Sequence, residues 1–344
     1  MDLHRRPVLV TGASGFVGSH LVPRLLARGC PVRALVRSLP RPVPGALSGA
    51  SLHVGDLSHG TGLVPALEGV GAAYYLVHSL AEGRDFVARD AAMATNFADA
   101  CQRSGVERVV YVGGLGEVAP GDSTHLASRA RVAGILAARG PPVTTLRAAI
   151  ILGRGGSSYE MMEQLVRKLP VMIPPRWIRT RCQPIFLGDL LDYLVGVLEF
   201  PETSGQGYDV GGPDILPYGE MLLGIGRRLQ RPPRIVVVPV LTPALSAHWV
   251  GFITEVPANL ARPLVDEMRS EVVCREQRIR EILPRRLKGF EESLDAIFRD
   301  PSPAPGGGVK VPWFPSRGGI WGIGGGPSPG PLSGSRLRPP TNGT

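Results

Sequence analysis

A glycine-rich segment near the start of the chain has the composition of a phosphate-binding loop. It follows an apolar run at residues 7–10 and reads Thr11-Gly12-Ala13-Ser14-Gly15-Phe16-Val17-Gly18. Gly12 permits a tight turn, Gly15 allows backbone N–H groups to approach a pyrophosphate, and Gly18 allows the next helix to pack closely. The N-terminus of that helix adds about half a positive charge facing the phosphates. The pattern predicts a dinucleotide-binding loop, against the alternative of an ordinary strand-to-helix turn. Contacts with the dinucleotide are expected from Thr11, Gly12, Ser14, Gly15, Phe16, Val17 and Gly18.

The end of the second predicted strand, at residues 32–36, indicates which dinucleotide binds. An Asp or Glu there accepts a hydrogen bond from the ribose 2′-hydroxyl, whereas an Arg accommodates a 2′-phosphate. Arg37 follows this strand, and no acidic residue occurs from residue 31 to residue 50. Because a guanidinium binds phosphate through paired, charge-assisted hydrogen bonds, NADP(H) is favoured over NAD(H). The alternative is that Arg37 is a surface residue at a strand end.

Two more cofactor contacts are expected after the third predicted strand, at residues 51–54. Asp56 and Leu57 follow that strand and are placed to meet the adenine amino group. For Asp56, the alternative is a capping role at a helix N-terminus.

Short apolar runs alternate with helical patterns through the first half of the chain. Strands are predicted at residues 7–10, 32–36, 51–54, 72–77, 108–112 and 143–146, the last continuing into 150–152. Helices are predicted at residues 14–28, 62–68, 84–104 and 124–139. This alternation is typical of βαβ units, and it predicts an α/β fold with a doubly wound, Rossmann-like parallel sheet covered on both faces.

The second half is less regular. Helices are predicted at residues 159–168, 189–200 and 218–229, strands at 184–187, 208–210 and 235–238, and helical patterns continue to about residue 298. We expect a dinucleotide-binding domain at residues 1–152 and a smaller α+β lobe at 153–298. That lobe would face the substrate and interleave with the first domain. A Pro/Gly-rich, disordered tail is expected at residues 299–344.

Composition limits the class of partner. Residues 301–344 hold 10 Pro and 12 Gly, too little apolar surface to offset the entropy of ordering them. The formal net charge is +9, of which this tail, with four basic and no acidic residues, supplies +4. The rest of the chain has no basic run with interleaved aromatic residues, so no specific nucleic-acid signal is present.

The apolar runs and the start of the first strand indicate a cellular location, and the spacing of the cysteines bears on metal and redox sites. No apolar run reaches the ~18 residues of a membrane span, and the first strand begins too early for a signal peptide. A cytoplasmic location is the expectation, with peripheral membrane or protein-complex association left open. The cysteines, Cys30, Cys101, Cys182 and Cys274, lie far apart, so neither a metal site nor a redox pair is predicted.

Several further motifs carry a family resemblance. They are Gly55-Asp56-Leu57, Tyr74-Tyr75-Leu76-Val77-His78-Ser79, Tyr111-Val112-Gly113-Gly114-Leu115, His125-Leu126-x-Ser128-Arg129, Gln183-Pro184-Ile185, Asp189-Leu190 and Gly211-Gly212-Pro213. Over residues 7–290 the chain resembles the atypical, extended branch of the short-chain dehydrogenase/reductase superfamily. It is most similar there to NAD(P)H-binding, NmrA-like proteins and to the NADPH-carrying accessory subunit of respiratory complex I. The resemblance implies that Val77, His78 and Ser79 lie beside the nicotinamide ribose.

The chain departs from this superfamily where the chemistry is done. Catalytic members have a Ser after the fifth strand and a Tyr-x-x-x-Lys on the next helix. The matching positions here hold Gly113 or Gly114, and His125-x-x-x-Arg129. Residues four apart share one face of a helix, so the geometry of the pair is kept while its chemistry changes. A His side chain, with an unperturbed pKa near ~6.5, can donate a proton at neutral pH.

Different functions follow from these departures. The first is an NADPH-dependent oxidoreductase with His125 as general acid and Arg129 as a clamp on the ribose. The second is a non-catalytic NADP(H)-binding sensor, assembly factor or structural subunit, in which His125 is a helix-surface or capping residue. A weaker alternative is RNA binding, which some atypical relatives show.

A substrate is expected over the carboxyl ends of the strands. An apolar pocket with an Arg at its edge would suit a hydrophobic carbonyl or a quinone. The candidate wall residues are Arg147, Met161, Met162, Arg176, Trp177 and Trp249, of which the Met and Trp residues have core packing as the alternative.

Overall fold

The structure is a computed structural model that describes residues 6–78, 86–116, 124–174, 176–237 and 270–300, without the side chains of residues 124, 176 and 177. Ser79, Trp249, the helical patterns expected between residues 238 and 269, and nearly all of the predicted tail lie outside the described residues. Within them, no helix is long and apolar enough to cross a membrane.

Strands are short and mostly buried, as the apolar runs predict. They are β1 (Val8–Val10), β2 (Val32–Val36), β3 (Ser51–Val54), β4 (Ala72–Tyr75), β5 (Arg108–Gly114), β6 (Val143–Ala148), β7 (Ile151–Leu152), β8 (Val171–Met172), β9 (Arg181–Cys182), β10 (Ile185–Phe186), β11 (Gly207–Val210), β12 (Leu216–Pro217) and β13 (Arg234–Ile235). Seven of them form one parallel sheet in the order β11-β6-β5-β4-β1-β2-β3. The predicted doubly wound α/β fold is confirmed.

Helices connect the strands and cover both faces of the sheet. They are α1 (Phe16–Ala27), α2 (Leu63–Leu67), α3 (Phe86–Arg103), α4 (Thr124–Arg139), α5 (Ser157–Lys168), α6 (Leu187–Gly196), α7 (Tyr218–Arg228), α8 (Arg278–Ile282) and α9 (Phe290–Arg299). On one face α1 and α6 pack together, with residues of α8, against the sheet. On the other face α2, α3 and α4 enclose a second cluster around Tyr75 and Phe97. Strands covered on both sides must be apolar on both sides, which explains their nearly continuous hydrophobic runs.

A third apolar cluster belongs to the second half of the chain. It is built by α5, α7 and α9, with Tyr159 and Met221 fully buried inside it. Two-residue ribbons flank it, namely β7 with β10, β8 with β13, and β9 with β12. In contrast, β11 leaves this half and pairs with β6 at the edge of the main sheet. The main sheet therefore takes its edge strand from the second half of the chain.

The order of strands places a crevice at a defined point. The chain runs outward from β1 to β3 on one side and from β4 to β11 on the other, so connections diverge between β1 and β4. In open parallel sheets, ligands bind outside the carboxyl ends of the strands at such a point. The glycine-rich segment follows β1, directly at this position.

Candidate functional site

A cavity of about 280 Å³ opens at the carboxyl ends of the central strands. It extends from the glycine-rich segment past the ends of β4 and β5 to the first turns of α4 and α5. Its walls are Gly12, Gly15, Phe16, Val17, Leu76, His78, Val112, Gly114, Leu115, His125, Leu126, Arg129, Ala148, Ala149, Ile150, Ile151, Gly156, Ser157, Ser158, Tyr218, Ser270 and Val272. Among these described residues there is no Asp or Glu. The site is mostly apolar, and apart from the phenol of Tyr218 its ionisable side chains are all basic.

Backbone contacts explain two of the glycines in the loop after β1. Gly12 has a φ of +63°, and a Cβ there would lie 2.5 Å from the carbonyl oxygen of Leu76. A Cβ on Gly18 would lie 2.2 Å from the carbonyl oxygen of Gly12. Neither position can hold a side chain unless the backbone moves. Ser14 and Gly15 are exposed at the tip of the loop, so the backbone there is open to a ligand.

Thr11 has a structural task at this loop. Its side chain is fully buried and donates a hydrogen bond to the carbonyl oxygen of Tyr74, at 3.0 Å. The same hydroxyl accepts a hydrogen bond from the backbone N–H of Leu76, at 3.1 Å. Thr11 thus joins the ends of β1 and β4 and is not among the residues that line the cavity.

Phe16 gives the cavity one of its walls, and its position could not be read from the loop pattern. Its ring lies against two glycines that precede α5: a Cβ would lie 3.0 Å from the ring at Gly153 and 2.8 Å at Gly156. Val17 lines the cavity beside it. The loop after β1 and the start of α5 therefore meet through the Phe16 ring.

Three of the predicted cofactor contacts lie along the outer strands, and the cavity lining does not include them. Arg37 follows β2, is exposed, and makes no hydrogen bond or ion pair with any described residue. Leu57 is buried. Asp56 closes a turn: its carboxylate accepts hydrogen bonds from the backbone N–H of Ser58 (2.7 Å) and from the ring of His59 (3.0 Å). The bond from His59, more than any other cause, lowers the pKa of Asp56.

The loop that holds Asp56 is fixed by a residue that the motif analysis missed. Asn96 of α3 donates its side-chain N–H to the carbonyl oxygens of Leu57 (2.8 Å) and Ser58 (3.2 Å). An Asn on the inner face of a helix, facing a loop, is the signal that could have pointed to it. The N-cap of α2 is Gly62, so Asp56 does not cap that helix.

The segment after β4 brings a histidine into the cavity. The His78 ring centroid lies 6.3 Å from that of His125 and 6.4 Å from that of Tyr111. Burial is the main reason why the pKa of His78 is well below its usual value, and the nearby charge of Arg129 and the ring of His125 lower it further. Val77 packs against Gly12 instead of lining the cavity. Ser79 lies outside the described part of the chain.

The predicted pair on α4 is brought to the same cavity. His125 is buried in the first turn of the helix, and Arg129 follows one turn later, half-buried. The Nε atom of Arg129 is buried without a hydrogen-bond partner. Two contacts fix this helix from behind: Ser128 donates to the buried carboxylate of Asp90 (3.2 Å), and the Tyr111 hydroxyl donates to the carbonyl oxygen of Arg129 (3.2 Å).

Of the two glycines at the end of β5, only Gly114 lines the cavity. A Cβ on Gly114 would lie 2.9 Å from Cδ1 of Leu126 and 3.1 Å from Cδ of Arg129. A Cβ on Gly113 would instead meet the side chains of Tyr111 and Thr145. Gly114 is therefore the position that faces the candidate site, and the Arg129 side chain crosses directly over it.

The predicted substrate walls are only partly described, and three of them are elsewhere. Met161 and Met162 are buried in the cluster of α5, α7 and α9, so core packing is the correct interpretation. Arg147 is paired with Asp209, with 2.6 Å between Nε and Oδ1. The structure describes neither the side chains of Arg176 and Trp177 nor residue Trp249. The cavity is also lined by residues that the sequence analysis did not name as walls: Ile150, Ile151, Ser157, Ser158, Tyr218, Ser270 and Val272.

Comparisons with known proteins agree with this arrangement. Residues 12–164 match the model of a family described as NAD(P)H-binding. Subunit 9 of the NADH dehydrogenase [ubiquinone] 1 alpha subcomplex, a mitochondrial protein of Arabidopsis thaliana, is 25% identical over 326 residues, covering 88% of this chain and 81% of that protein. Dihydroflavonol 4-reductase of Hordeum vulgare is 34% identical over 136 residues, covering 34% of this chain and 37% of that enzyme. This second match thus spans little more than a third of the reductase.

A solved structure supports the same conclusion about the fold. An NADPH-dependent quinone oxidoreductase from Escherichia coli, complexed with NADPH, superposes with a TM-score of 0.68 at 19% identity, over 85% of this chain and 99% of that one. At this identity the likeness concerns the fold alone. Together, these comparisons show that residues 12–164 are similar to an NAD(P)H-binding family and that the chain shares its fold with the quinone oxidoreductase.

Proposed function

We propose that this protein binds NADP(H) along the carboxyl ends of the strands and reduces a hydrophobic carbonyl or quinone-like small molecule. The observation that carries the proposal is a single cavity that connects the loop after β1 with His125 and Arg129. A dinucleotide and a small substrate need such a continuous space, because the two reacting molecules must touch. The relatives named as reductases and as a quinone oxidoreductase support the same class of reaction.

The chain's residues fit a dinucleotide at the loop. Gly12 and Gly18 leave no room for side chains, and Gly15 is open, so that backbone N–H groups of residues 12–18 would face a pyrophosphate at the N-terminus of α1. Arg37, exposed and without a partner among the described residues, would bind the 2′-phosphate. Asp56 and Leu57 would lie on the adenine side, and the segment of Val77, His78 and Ser79 on the side of the nicotinamide ribose.

The reacting end of the site is formed by α4 and the end of β5. When bound, a reduced nicotinamide supplies a hydride to the substrate. His125 would donate the proton that the substrate oxygen needs, and Arg129 would hold the ribose hydroxyls from one turn further along the helix. The apolar walls Ile150, Ile151 and Val272 would exclude water and select an apolar substrate.

The cofactor part is tested by titrating the protein with NADPH and with NADH and following its intrinsic fluorescence. Wild type is expected to bind NADPH more tightly, and Arg37→Glu is expected to lose at least tenfold in NADPH affinity while NADH affinity changes little. Arg103→Glu, an equally exposed change at the far end of α3, is the matched control. Equal affinities that do not respond to Arg37→Glu would contradict the NADP(H) assignment.

The catalytic part of the proposal is tested by measuring the rate of NADPH oxidation when aldehydes, ketones, enones or quinones are added as substrates. His125→Ala is expected to lower turnover by about 10²–10⁴-fold, the usual contribution of a general acid, with NADPH affinity retained. Turnover that is unchanged in His125→Ala would remove His125 from the mechanism.

A second candidate function is non-catalytic, namely NADP(H) binding by a sensor, assembly factor or structural subunit. It is favoured by the Arabidopsis relative, which by its name is a subunit of an NADH dehydrogenase, and by the glycine, His and Arg at the positions of the superfamily's Ser, Tyr and Lys. Tight NADPH binding with no turnover for any acceptor class, and co-purification with other subunits, would support it. A cytoplasmic location stays a prediction.

A further inference from the structure

Arg129 occupies the space that a side chain at position 114 would need. The missing Cβ of Gly114 would lie 3.1 Å from Cδ of Arg129, a distance tighter than nearly all real Cβ contacts. The aliphatic part of Arg129 thus lies directly over the backbone of β5 at its carboxyl end. The guanidinium is held there in the wall of the cavity.

Among the residues that the structure describes, no carboxylate pairs with the charge of this guanidinium. Its Nε is buried without a partner, and Arg129 forms no ion pair within the described residues. The described walls of the cavity hold no carboxylate. His78, whose pKa is well below its usual value, adds no second positive charge at neutral pH. A partly buried cation without a counter-ion is costly, so this site favours a ligand that brings a negative charge.

We propose that Arg129, lying across Gly114, binds the oxygen that becomes negative when the substrate is reduced. The proposal rests on the proposed function and specifies its substrate class. It selects acceptors whose reduced form is a stabilised oxyanion, a phenolate or an enolate, as produced by quinones and enones. Simple ketones gain less from Arg129, because their reduction depends on the proton that His125 would donate during the transfer.

The chemistry of the product explains this selection. Quinone, NADPH and one proton give hydroquinone and NADP⁺: the hydride brings two electrons to the quinone, negative charge collects on its oxygen, and a proton then completes the hydroquinone. A phenolic oxygen has a pKa near ~10, so its anion can persist beside a cation until a proton arrives. An alkoxide, close to hydroxide in basicity (~15.7 for bulk water), needs a proton during the transfer itself.

The guanidinium has enough donors for both of its tasks. It carries five N–H groups in a planar fork, so contacts with ribose hydroxyls leave donors for a substrate oxygen. A serine at position 114 would offer one neutral hydroxyl and would crowd both Leu126 and Arg129, since a Cβ there would lie 2.9 Å from Cδ1 of Leu126 and 3.1 Å from Cδ of Arg129. The glycine at the end of β5 and the arginine on α4 therefore act together, the first making room for the second.

A coloured phenol tests the proposal without turnover. 4-Nitrophenol is mixed with cofactor-free protein, and the yellow phenolate is followed from pH 5 to pH 9 in the bound and free probe. The bound probe is expected to ionise at least about one pH unit lower than the free probe, since a positive charge within contact distance lowers an acid's pKa by about 1–3 units. In Arg129→Gln this shift is lost, and in Arg131→Gln, an exposed residue on the same helix, it is retained.

Two further variants keep the test decisive. Arg129→Lys keeps the charge and is expected to retain part of the shift, which separates the charge from the folding of α4. Gly114→Ser is expected to reduce the shift, because the new side chain crowds Arg129. A bound probe that ionises like the free one, an upward shift, no binding of the probe, or an Arg129→Gln variant identical to wild type would overturn the proposal.

An NADPH titration of the same samples separates this proposal from the proposed function. If NADPH binds and the phenol shift is absent, only the oxyanion site is wrong. If the phenol shift is present and NADPH does not bind, the oxidoreductase function is wrong and an anion-binding pocket remains.

Discussion

Gly18 touches Gly12: a Cβ on Gly18 would lie 2.2 Å from the carbonyl oxygen of Gly12. The first turn of α1 is therefore pressed against the loop that it follows, and the loop conformation depends on the absence of one methyl group. This contact is formed by backbone atoms, which cannot rotate away as a side chain would.

Gly18→Ala is accordingly expected to destabilise the protein by about 1–3 kcal/mol, the usual cost of overpacking, and to weaken NADPH binding. Urea unfolding and the fluorescence titration measure the two effects. Gly134→Ala is the control, because this α4 glycine has nothing within 4 Å of an added Cβ. That control is expected to stabilise the helix by about 0.5–1 kcal/mol. Equal effects of the two substitutions would contradict the packing argument.

Thr11→Val is expected to lower the free energy of unfolding by about 1–3 kcal/mol, because the backbone N–H of Leu76 loses its acceptor inside the protein. Valine matches threonine in shape, so the change isolates the hydroxyl. Thr11→Ser keeps the hydroxyl and is expected to recover most of the loss. Thermal unfolding of the three proteins gives the comparison, and a Thr11→Val protein as stable as wild type would show that the bridge between β1 and β4 contributes little.

The lowered pKa of His78 predicts that the folded protein loses stability at acid pH. Its pKa in the folded protein is below that of the unfolded chain, so the unfolded chain binds more protons as the pH falls through about 6.5. The free energy of unfolding then drops by up to about 1.4 kcal/mol for each pH unit from this one residue. Urea unfolding of wild type and His78→Gln between pH 5 and pH 7.5 measures the slopes. We expect a shallower slope for the variant, and parallel curves would contradict the prediction.

Asp209→Asn is expected to cost about 2–4 kcal/mol of stability. Its carboxylate, 7% exposed, accepts hydrogen bonds from Nε of Arg147 and from the backbone N–H of Arg275, and hydrogen bonds to a charged group contribute about 1.5–3 kcal/mol each. Arg147 keeps Glu276, 3.8 Å away, as a second partner. Asp99→Asn breaks the exposed ion pair with Arg139 and is expected to cost less than about 1 kcal/mol. Chemical denaturation gives the loss in free energy of unfolding for each variant. Equal losses would show that the Asp209 pair is as weak as a surface pair.

Much of the central fold follows from local patterns. The runs at residues 32–36 and 51–54 predict β2 and β3 with their observed bounds. β2 is an almost wholly buried apolar strand, as expected inside a sheet covered on both faces, whereas β3 is the partly exposed edge strand. Residues 143–152 were expected to form one continuing strand. In the structure β7 instead leaves the main sheet and pairs with β10. The end of α6 at Gly196 instead of residue 200, and the two-residue strands of the second half, depend on distant partners that no local period reveals.

The candidate site was predictable where a motif lies at the end of a strand. His78, His125 and Arg129 do meet at one cavity, because the carboxyl ends of parallel strands share an edge. The contribution of Val272 was not predictable, since that residue comes from a segment far along the chain. Nor could a sequence pattern show that the Arg129 side chain lies over Gly114. That contact depends on the rotamer of Arg129 and on how α4 packs against the end of β5.

β11 pairs with β6 on one side, and its outer side is held by residues that follow much later in the chain. Glu276 accepts a hydrogen bond from the backbone N–H of Asp209 (2.6 Å), and Arg278 donates to the carbonyl oxygen of Gly207 (2.9 Å). On the ribosome, the first 210 residues can emerge with the outermost strand still unfastened. Translation has to continue past residue 278 before the sheet's edge is secured. A nascent chain halted earlier would present an open strand edge to its neighbours, with the risk of aggregation that such edges carry.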